Sequence, residues 1–366
     1  MPKLYVGIMS GTSLDGIDIA LTSFCPATQS AKLIGALCMA FPPSLRDDLL
    51  LLCQPGPNEL YRAGIAGQEW AKLAVQGVAQ LLRQHHTTAS QITAIGSHGQ
   101  TIRHHPANGF SIQIGAPALL AELSGIDVIC DFRSRDLAAG GQGAPLVPAF
   151  HQWLFGDLRT PKLLINIGGF ANLTLLGDDA TVTGFDSGPG NVLLDYWAQR
   201  HTGQSFDHNG DWAASGKSIP QLLDIMLQDP YFARPYPKST GREYFNHFWL
   251  EQQLAGRQDD PVDVQATLAE LTVRSITDAL GQCPLQPEEI YICGGGARNR
   301  WLMARLQQLL APKRVNSTAA LGVDPDWMEA IAFAWLAWRC NERLSGNLPA
   351  VTGAHGKRIL GAIYPA

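Results

Sequence analysis

The sequence predicts an α/β protein of two domains that share one pattern of strands and helices. The first observation is the alternation of short apolar strands with amphipathic helices along the 366-residue chain, which is typical of α/β folds. The second is a repeated unit, since an apolar strand, a glycine-rich turn and an alternating strand occupy residues 4–24 and occur again at residues 162–176. We interpret this repeat as a weak internal duplication.

The first predicted domain spans residues 1–135. Pro42 and Pro43 separate its opening strands from its helices, and Asn58 is the expected cap of a long amphipathic helix. That helix is expected to turn inward Leu60, Ile65, Trp70, Leu73, Val78 and Leu81. The predicted strands are residues 4–9, 17–24, 32–41, 94–97, 110–114 and 127–132, and the predicted helices are residues 44–53, 58–84 and 116–124.

The second predicted domain spans residues 136–344 and opens on a connection rich in glycine and proline, residues 138–148. A C-terminal tail of about residues 345–366 is expected to pack back on the first domain. The predicted strands are residues 162–167, 170–176, 182–186, 289–293 and 314–317, and the predicted helices are residues 191–200, 219–227, 262–280, 299–310 and 326–339.

The composition excludes several classes of protein. A formal net charge of −5, with no run of basic residues, argues against nucleic acid as a partner. The seven cysteines are odd in number and never spaced as C-x-x-C, which argues against a disulfide framework or a zinc site. The N-terminus lacks the basic region of a signal peptide, and the apolar runs are shorter than the roughly 20 residues of a membrane span. We therefore expect a cytoplasmic protein without membrane contact.

The first glycine-rich turn has the composition of a phosphate-binding loop. Gly11 and Gly16 would let backbone N–H groups approach phosphate oxygens closely. Asp15 and Asp18 would repel a bare polyphosphate, so they indicate a bridging divalent cation such as Mg²⁺. Hydroxyl donors come from Ser10, Thr12 and Ser13. An ordinary hairpin tip has a similar composition, so that alternative stays open.

Two later segments resemble known nucleotide fingerprints without matching them. Residues 210–218 have five residues between the glycines where the P-loop has four, and no strand precedes them, so we interpret them as a helix start or a loop. Residues 294–299 follow a strand and open a helix, but Asn299 stands where the dinucleotide fingerprint has its third glycine. This turn still allows a ring or a sugar to approach the backbone, and a tight structural turn is the alternative.

A carboxylate marks the third unusual segment, residues 184–191. Asp186 is predicted at the end of a strand, just before a helix, where side chains of α/β folds point toward ligands. A carboxylate in that place can act as a general base in phosphoryl transfer. The alternative is that Asp186 caps the helix.

These segments come in the order used by the actin, sugar kinase and heat-shock chaperone superfamily, and within it the chain resembles the anhydro-N-acetylmuramic acid kinases over nearly its full length. The resemblance implies an actin-like, ribonuclease H-like duplicated sugar kinase fold with the active-site cleft between the two domains. It is carried by MSGTSLDGID (9–18), GSHGQT (96–101), GGQGAPLVPAFH (140–151), NIGG (166–169), FDSGPGN (185–191), PKSTGRE (237–243), CGGGARN (293–299) and the terminal VTGA and LGAIYP segments.

The resemblance implies an ATP-dependent kinase of peptidoglycan recycling. Such an enzyme opens 1,6-anhydro-N-acetylmuramic acid with water and phosphorylates its 6-oxygen to give N-acetylmuramic acid 6-phosphate. Asp186 would be the general base that deprotonates the water. ATP and Mg²⁺ would be required, and a homodimer is implied.

The resemblance also assigns binding residues. ATP phosphates would be bound by Gly11, Thr12, Ser13, Leu14, Asp15, Gly16, Ile17 and Asp18, and in the second half by Asn166, Gly168 and Gly169. Adenosine would lie beside Gly294, Gly295, Gly296 and Asn299. Asp15 and Asp18 would hold Mg²⁺, directly or through water. Residues 238–242 would contact phosphate or sugar. Sugar contacts would come from some of His98, Gln100, Thr101, Arg133, Asp136, Gln142 and Glu329.

Several of the sugar assignments have a structural alternative. Arg133 is a candidate partner for the lactyl carboxylate, because a guanidinium can bind a carboxylate through two hydrogen bonds. It could instead form a surface pair with Asp136. His98 could be a loop histidine whose bonds are all internal, and Glu329 could belong to the polar face of the last helix.

Two other functions remain open from the sequence. A chaperone-like or filament-forming member of the superfamily would share the ATP hairpins but would need an added domain or long insertions. A kinase for another amino sugar or a hexose would use Asp186 to activate a sugar hydroxyl directly.

Overall fold

The computed structural model describes residues 3–11, 14–156, 160–177 and 181–366. The chain divides into two compact units. Unit 1 is Met1–Phe155 together with Trp327–Ala366, and unit 2 is Gly156–Asp326. These bounds differ from the predicted division at residues 135 and 344, because residues 136–155 and the last long helix both belong to unit 1. The rings of Phe150 and Trp335, one from each of these segments, are 5.8 Å apart.

Unit 1 is built on a six-stranded sheet with a separate two-stranded hairpin. Its strands are β1 (Leu4–Met9), β2 (Gly16–Cys25), β3 (Ser30–Ala40), β4 (Ile92–Ser97), β5 (Gln100–His105), β6 (Phe110–Ile114), β7 (Val128–Cys130) and β13 (Ala362–Tyr364). Its helices are α1 (Pro43–Leu52), α2 (Glu59–Gln84), α3 (Pro117–Ser124), α4 (Ser134–Leu137), α5 (Val147–Phe155), α13 (Met328–Asn341) and α14 (Pro349–Thr352).

Unit 2 is built on a five-stranded sheet. Its strands are β8 (Lys162–Ile167), β9 (Phe170–Leu176), β10 (Val182–Pro189), β11 (Glu289–Cys293) and β12 (Arg314–Ser317). Its helices are α6 (Val192–Thr202), α7 (Asp211–Ser215), α8 (Pro220–Leu227), α9 (Pro230–Ala233), α10 (His247–Gln253), α11 (Pro261–Gly281) and α12 (Arg300–Leu310). Residues 210–218 thus form the short helix α7 and a loop, as expected from the failed P-loop match.

The two sheets share one topology. In unit 1 the order is β3-β2-β1-β4-β7-β13, with β1, β2 and β3 antiparallel and β4 and β7 parallel to β1. In unit 2 the order is β10-β9-β8-β11-β12. Strands β8, β9 and β10 again form an antiparallel meander, β11 pairs parallel with β8, and β12 pairs parallel with β11. This is the duplicated, ribonuclease H-like α/β arrangement, so the predicted fold class is confirmed. The β1–β2 turn and the β8–β9 turn occupy equivalent positions.

Two glycines explain why α13 belongs to unit 1. Gly7 of β1 and Gly96 of β4 are paired across the sheet. A Cβ on Gly7 would collide with the carbonyl oxygen of Ala330, and a Cβ on Gly96 with that of Phe333. The backbone of α13 therefore lies directly on the centre of the sheet, at a distance that a side chain would prevent. The tail follows it, since β13 pairs with β7.

The long helix α2 packs on one face of this sheet, and the prediction of its buried side chains is correct only in part. Trp70, Val78 and Leu81 are buried. Leu60 is 92% exposed and Ile65 is 46% exposed, so the prediction that both turn inward is wrong. The first turns of α2 extend beyond the core that they were expected to cover. In the described part of the chain, no helix has the length and apolar character needed to cross a membrane.

Candidate active site

The β1–β2 turn combines an exposed carboxylate with a strained backbone. Asp15 is exposed and Asp18 is half-buried. Leu14 is buried and has a φ of 57°, a left-handed conformation that branched aliphatic side chains rarely adopt. Its N–H donates to the carbonyl oxygen of Gly11 over 3.4 Å. Thr12 and Ser13, both predicted to bind phosphate, lie outside the described residues.

Two other predicted phosphate residues of this turn belong to the sheet. A Cβ on Gly16 would lie 2.6 Å from the carbonyl oxygen of Met39, so this glycine permits close pairing of β2 with β3. The side chain of Ile17 is fully buried in the core of unit 1. Any contact of these two residues with a nucleotide is therefore through the backbone.

A chain of hydrogen bonds ties this turn to the loop after β4. The indole of Trp70 donates to the hydroxyl of Ser10 over 3.0 Å, and this hydroxyl donates to the carbonyl oxygen of Gly99 over 3.1 Å. The side-chain amide of Gln100 donates to the carbonyl oxygen of Gly11 over 3.2 Å. The predicted phosphate hairpin and the predicted sugar loop are thus one connected structure within unit 1.

His98 has both ring nitrogens engaged. Its Nδ1 is 2.8 Å from the carbonyl oxygen of Gly99, and its Nε2 is 2.8 Å from Nη2 of Arg133. A carbonyl can only accept and a guanidinium can only donate, so Nδ1 carries the proton and Nε2 accepts. Burial first, and then Arg133, hold the pKa of His98 well below its usual 6.5. His98 is therefore a neutral side chain that orients Arg133.

Arg133 and Asp136 both act on the loop of residues 140–143. Nη1 of Arg133 donates to the carbonyl oxygen of Gly143 over 2.7 Å. Asp136 is fully buried, and its carboxylate accepts bonds from the Gly143 N–H (2.9 Å), the Asn347 amide (2.7 Å) and the Thr352 hydroxyl (2.8 Å). Asp136 therefore has a structural role, because its oxygens hold this loop to the C-terminal segment, and its predicted sugar contact stays a prediction.

The remaining predicted sugar residues lie around this network. Thr101 is half-buried at the start of β5 and accepts a bond from Gln113 over 3.0 Å. The backbone N–H of Gln142 donates to the carbonyl oxygen of Thr352 over 2.8 Å. Glu329 lies one helical turn before Phe333, whose ring is 4.6 Å from that of His98. Unit 1 thus brings most of the predicted sugar residues to one region.

In unit 2, three glycine-rich segments meet at the ends of β8 and β11. The N–H groups of Gly190 and Val192 donate to the carbonyl oxygen of Gly169 over 2.9 and 3.0 Å. Gly294 has a φ of 76°, and a Cβ there would collide with the side-chain oxygen of Asn166. A Cβ on Gly296 would collide with Ile167. The absence of side chains is what allows these predicted phosphate and adenosine turns to touch.

Asp186 lies within β10, next to these turns. The helix α6 begins at Val192 with Asn191 at its N-cap, which excludes the alternative that Asp186 caps it. The register of β10 with β9 shifts between Asp186 and Gly188, a β-bulge of the kind that re-aims side chains beside active sites. The carboxylate is 8% exposed, and its Oδ2 accepts a bond from the backbone N–H of Thr240 over 3.0 Å.

The comparisons with known proteins show the family of the chain. The family model of the anhydro-N-acetylmuramic acid kinases matches residues 3–366. The anhydro-N-acetylmuramic acid kinase of Pseudomonas putida is 56% identical over 364 residues, which cover 99% of both chains. The chain belongs to the anhydro-N-acetylmuramic acid kinase family. The enzyme of the same description from Nitrosomonas europaea is 53% identical over 364 residues, again covering 99% of both chains.

Among solved structures, the chain is similar to the activator of the 2-hydroxyisocaproyl-CoA dehydratase from Clostridium difficile with bound ADPNP. The TM-score is 0.47 and the identity is 11%, and the match covers 94% of this chain and 96% of that one. The predicted family and the predicted enzyme class rest instead on the family model and the full-length relatives.

Asn299 shows how one member of the family uses a position that deviates from a familiar fingerprint. Its side-chain oxygen accepts a bond from the N–H of Leu302 over 3.0 Å and so caps α12. A Cβ on Gly210 would collide with the same oxygen. Asn299 therefore has a structural role that glycine, which has no side chain, would not fill.

Sequence reasoning missed Tyr231 and Asn347, and it quoted Lys238 and Thr352 in the segments of the resemblance without the structural roles that they have here. Tyr231 donates its hydroxyl to the carbonyl oxygen of Asp186 over 2.8 Å, and the N–H of Asp186 donates to the carbonyl oxygen of Lys238 over 3.0 Å. Asn347 and Thr352 bind Asp136 from more than 200 positions away. No local signal marks these structural roles, since the bonded partners are distant in sequence.

Proposed function

We propose that this chain is an ATP-dependent kinase that opens 1,6-anhydro-N-acetylmuramic acid with water and phosphorylates its 6-oxygen. The products are N-acetylmuramic acid 6-phosphate and ADP. The observation that carries the proposal is the match of the family over residues 3–366, with all seven quoted internal segments in place. Membership in a kinase family supports ATP as the phosphate donor, and the sugar is the one in the description of the relatives.

We assign Asp186 as the general base for the hydrolytic half of the reaction. Asp186 accepts a proton from water as the water oxygen bonds to the anomeric carbon, and the bond between this carbon and the 6-oxygen breaks. The 6-oxygen then takes up the γ-phosphoryl group, the bond from the γ-phosphorus to the β,γ-bridging oxygen breaks, and ADP leaves. The proton on Asp186 returns to solvent. This role is supported by the position of Asp186 beside the glycine turns of unit 2.

The nucleotide-binding assignments follow the glycine turns. In unit 2, we assign phosphate contacts to Gly168 and Gly169 and adenosine contacts to residues 294–296. The nearest atoms to a Cβ built on Gly168 or on Gly295 are 3.8 Å away, which leaves room beside these two glycines. In unit 1, the β1–β2 turn contributes its backbone to the phosphates. Asn166 contributes by shaping the turn, because its side chain lies against Gly294.

The residues present fit a magnesium ion in chemistry. Asp15 and Asp18 supply carboxylate oxygens, and Mg²⁺ is commonly held by one or two carboxylates together with phosphates and water. Among the described residues, no group of three or more His, Cys, Asp or Glu side chains is placed to hold a metal ion. Asp15 and Asp18 would therefore hold Mg²⁺ with the help of the nucleotide. When bound, the ion neutralises charge on the transferred phosphoryl group.

We assign recognition of the lactyl carboxylate to Arg133. Its guanidinium is oriented by His98 on one nitrogen and by the carbonyl oxygen of Gly143 on another. A guanidinium fixed in this way recognises a planar carboxylate better than a mobile one, since less rotamer entropy is lost on binding. The sugar would then lie near His98, Gln100, Thr101, Gln142 and Glu329.

Product analysis tests the reaction. Incubation of the anhydro sugar, ATP and Mg²⁺ in heavy-oxygen water should place the label on the anomeric hydroxyl, as read by mass spectrometry and NMR. Label in the phosphate or at the 6-position would contradict the mechanism. A preference for plain N-acetylmuramic acid would favour direct activation of a sugar hydroxyl. ATP-dependent light scattering without sugar-dependent ADP release would favour a filament-forming protein.

Asp186→Asn tests the base. The substitution removes the proton acceptor with almost no change of volume, so turnover should fall by about 10²-fold or more while ATP binding stays near that of the native enzyme. Turnover is measured by ADP release and ATP binding by calorimetry. Loss of ATP binding would show that Asp186 has a different role.

A further inference from the structure

A buried lysine, Lys238, lies next to Asp186 in unit 2. Its side chain is 7% exposed, and its ammonium group donates to the carbonyl oxygens of Tyr231 (3.3 Å) and Phe232 (3.2 Å). The same ammonium lies 4.8 Å from the centroid of the Tyr231 ring. These partners are dipoles and an aromatic face, and none of them carries a formal negative charge. A charge that has lost its hydration in this way requires a compensating interaction.

The segment that carries Lys238 also holds Asp186 in place. The N–H of Asp186 donates to the carbonyl oxygen of Lys238 over 3.0 Å, and the Tyr231 hydroxyl donates to the carbonyl oxygen of Asp186 over 2.8 Å. The N–H of Thr240 donates to Oδ2 of the Asp186 carboxylate over 3.0 Å. Residues 231–240 therefore fix the main chain of Asp186 on both sides and one oxygen of its carboxylate.

We infer that Lys238 is a positioning residue for Asp186, whose carboxylate it keeps ionised through its buried positive charge. The inference rests on the proposed role of Asp186 as base. A base must be ionised before it can accept a proton from water, and a nearby positive charge of low hydration favours the ionised carboxylate.

The charged and titratable groups around Lys238 agree with this role. Burial lowers the pKa of Lys238 from its usual 10.5, and Arg234 lowers it further, whereas Asp186 and the Cys283 thiol raise it. Burial is also the main cause that raises the pKa of Tyr231, and Asp186 raises it too, so this phenol stays protonated and remains a donor. Asp186 is thus a carboxylate whose charge favours the charged form of the lysine.

The pH dependence of single-turnover ADP release tests the inference. Lys238→Gln keeps an N–H donor for the two carbonyl oxygens but removes the charge. We expect the acidic limb of its pH profile to lie about one unit or more above that of the native enzyme, since an opposite charge nearby typically lowers a carboxyl pKa by 1–3 units. Tyr231→Phe is the matched control, because it removes one hydrogen bond to Asp186 without a change of charge. Its rate should fall while its acidic limb stays in place.

Each result has one meaning. If the acidic limb of Lys238→Gln is not shifted, the role of Lys238 is overturned whatever the rate of the variant, and the proposed function stays intact. Full turnover by Asp186→Asn would instead overturn the proposed function. If Lys238→Gln does not fold, ¹³C NMR of the native enzyme decides, with the Asp186 signal assigned from its loss in Asp186→Asn. A carboxyl pKa below the usual value of about 3.9 supports the inference, and a value at or above it contradicts the inference.

Discussion

His98→Asn should weaken recognition of the substrate carboxylate by releasing Arg133. The native ring donates to the Gly99 carbonyl through Nδ1 and accepts from Arg133 through Nε2. An asparagine amide reaches about as far as Nδ1, so it can keep the first bond but loses the second. A glutamine oxygen reaches about as far as Nε2, so His98→Gln should keep the acceptor for Arg133. The two variants therefore separate the two bonds.

The magnitude follows from the charge on the donor. A hydrogen bond to a charged group contributes about 1.5–3 kcal/mol, which corresponds to about 10- to 150-fold in an equilibrium constant. If Arg133 loses its orientation, kcat/KM for the anhydro sugar should fall by up to this factor in His98→Asn, chiefly through KM. His98→Gln should recover most of the loss. This factor is an upper limit for the loss in kcat/KM, because the carbonyl oxygen of Gly143 still holds the other nitrogen of Arg133.

A substrate comparison shows whether the effect passes through Arg133. The methyl ester of the lactyl group lacks the negative charge that Arg133 is proposed to bind. The native enzyme and His98→Asn should therefore differ strongly on the acid and only slightly on the ester, as in a double-mutant cycle. An equal loss on both substrates would refute the reasoning and give His98 a general structural role.

Two further predictions concern stability. Gly96→Ala should destabilise unit 1 by about 1–3 kcal/mol in denaturant unfolding, since its methyl group would meet the backbone of α13. Gly64→Ala, at a helix position with open space, is the control and should be neutral or slightly stabilising. Equal effects of the two substitutions would contradict the packing argument. Burial lowers the pKa of His151 to about 3, so its native state binds no proton at pH 5.5 while the unfolded chain, with a pKa near 6.5, does. The free energy of unfolding should therefore fall as the pH drops below 6.5, and His151→Gln should take up about one proton fewer on unfolding at pH 5.5, as measured by calorimetry in buffers of different ionisation enthalpy.

The sequence was most informative where the chemistry is local. A strand that alternates in polarity and a turn that needs glycine are properties of neighbouring residues, so both hairpins and the duplication could be predicted from them. The strand that carries Asp186 was predicted for the same reason, although β10 extends to Pro189 where the strand was predicted to stop at residue 186. A β-bulge explains the difference, because glycine and proline after Asp186 interrupt the pairing without ending it.

Distant pairings could not be predicted. The packing position of α13 depends on Gly7 and Gly96, which lie more than 200 residues earlier in the chain. The sequence of the helix alone does not indicate which sheet it covers. The resemblance implied a sugar contact for Asp136, but nothing near it in sequence predicted that its oxygens accept hydrogen bonds from Asn347 and Thr352. The exposure of Leu60 has a similar cause, since helix periodicity identifies a face and not the length over which that face is covered.

The two equivalent turns differ in sequence and in their neighbours, so the proposed roles differ between the two units. The β8–β9 turn is formed by Gly168 and Gly169, whose carbonyl oxygens are occupied by the N–H groups that lead into α6, and it lies beside Asp186 and the residues 294–296. The β1–β2 turn instead presents Asp15 and is bonded to the loop that carries His98. One copy of the duplicated unit thus holds the proposed base and adenosine turn, and the other holds the acidic residues and the guanidinium. Substitutions at Gly169 should therefore raise the KM for ATP and leave the KM for sugar near its native value, whereas substitutions at Ser10, which joins Trp70 to Gly99, should raise both KM values.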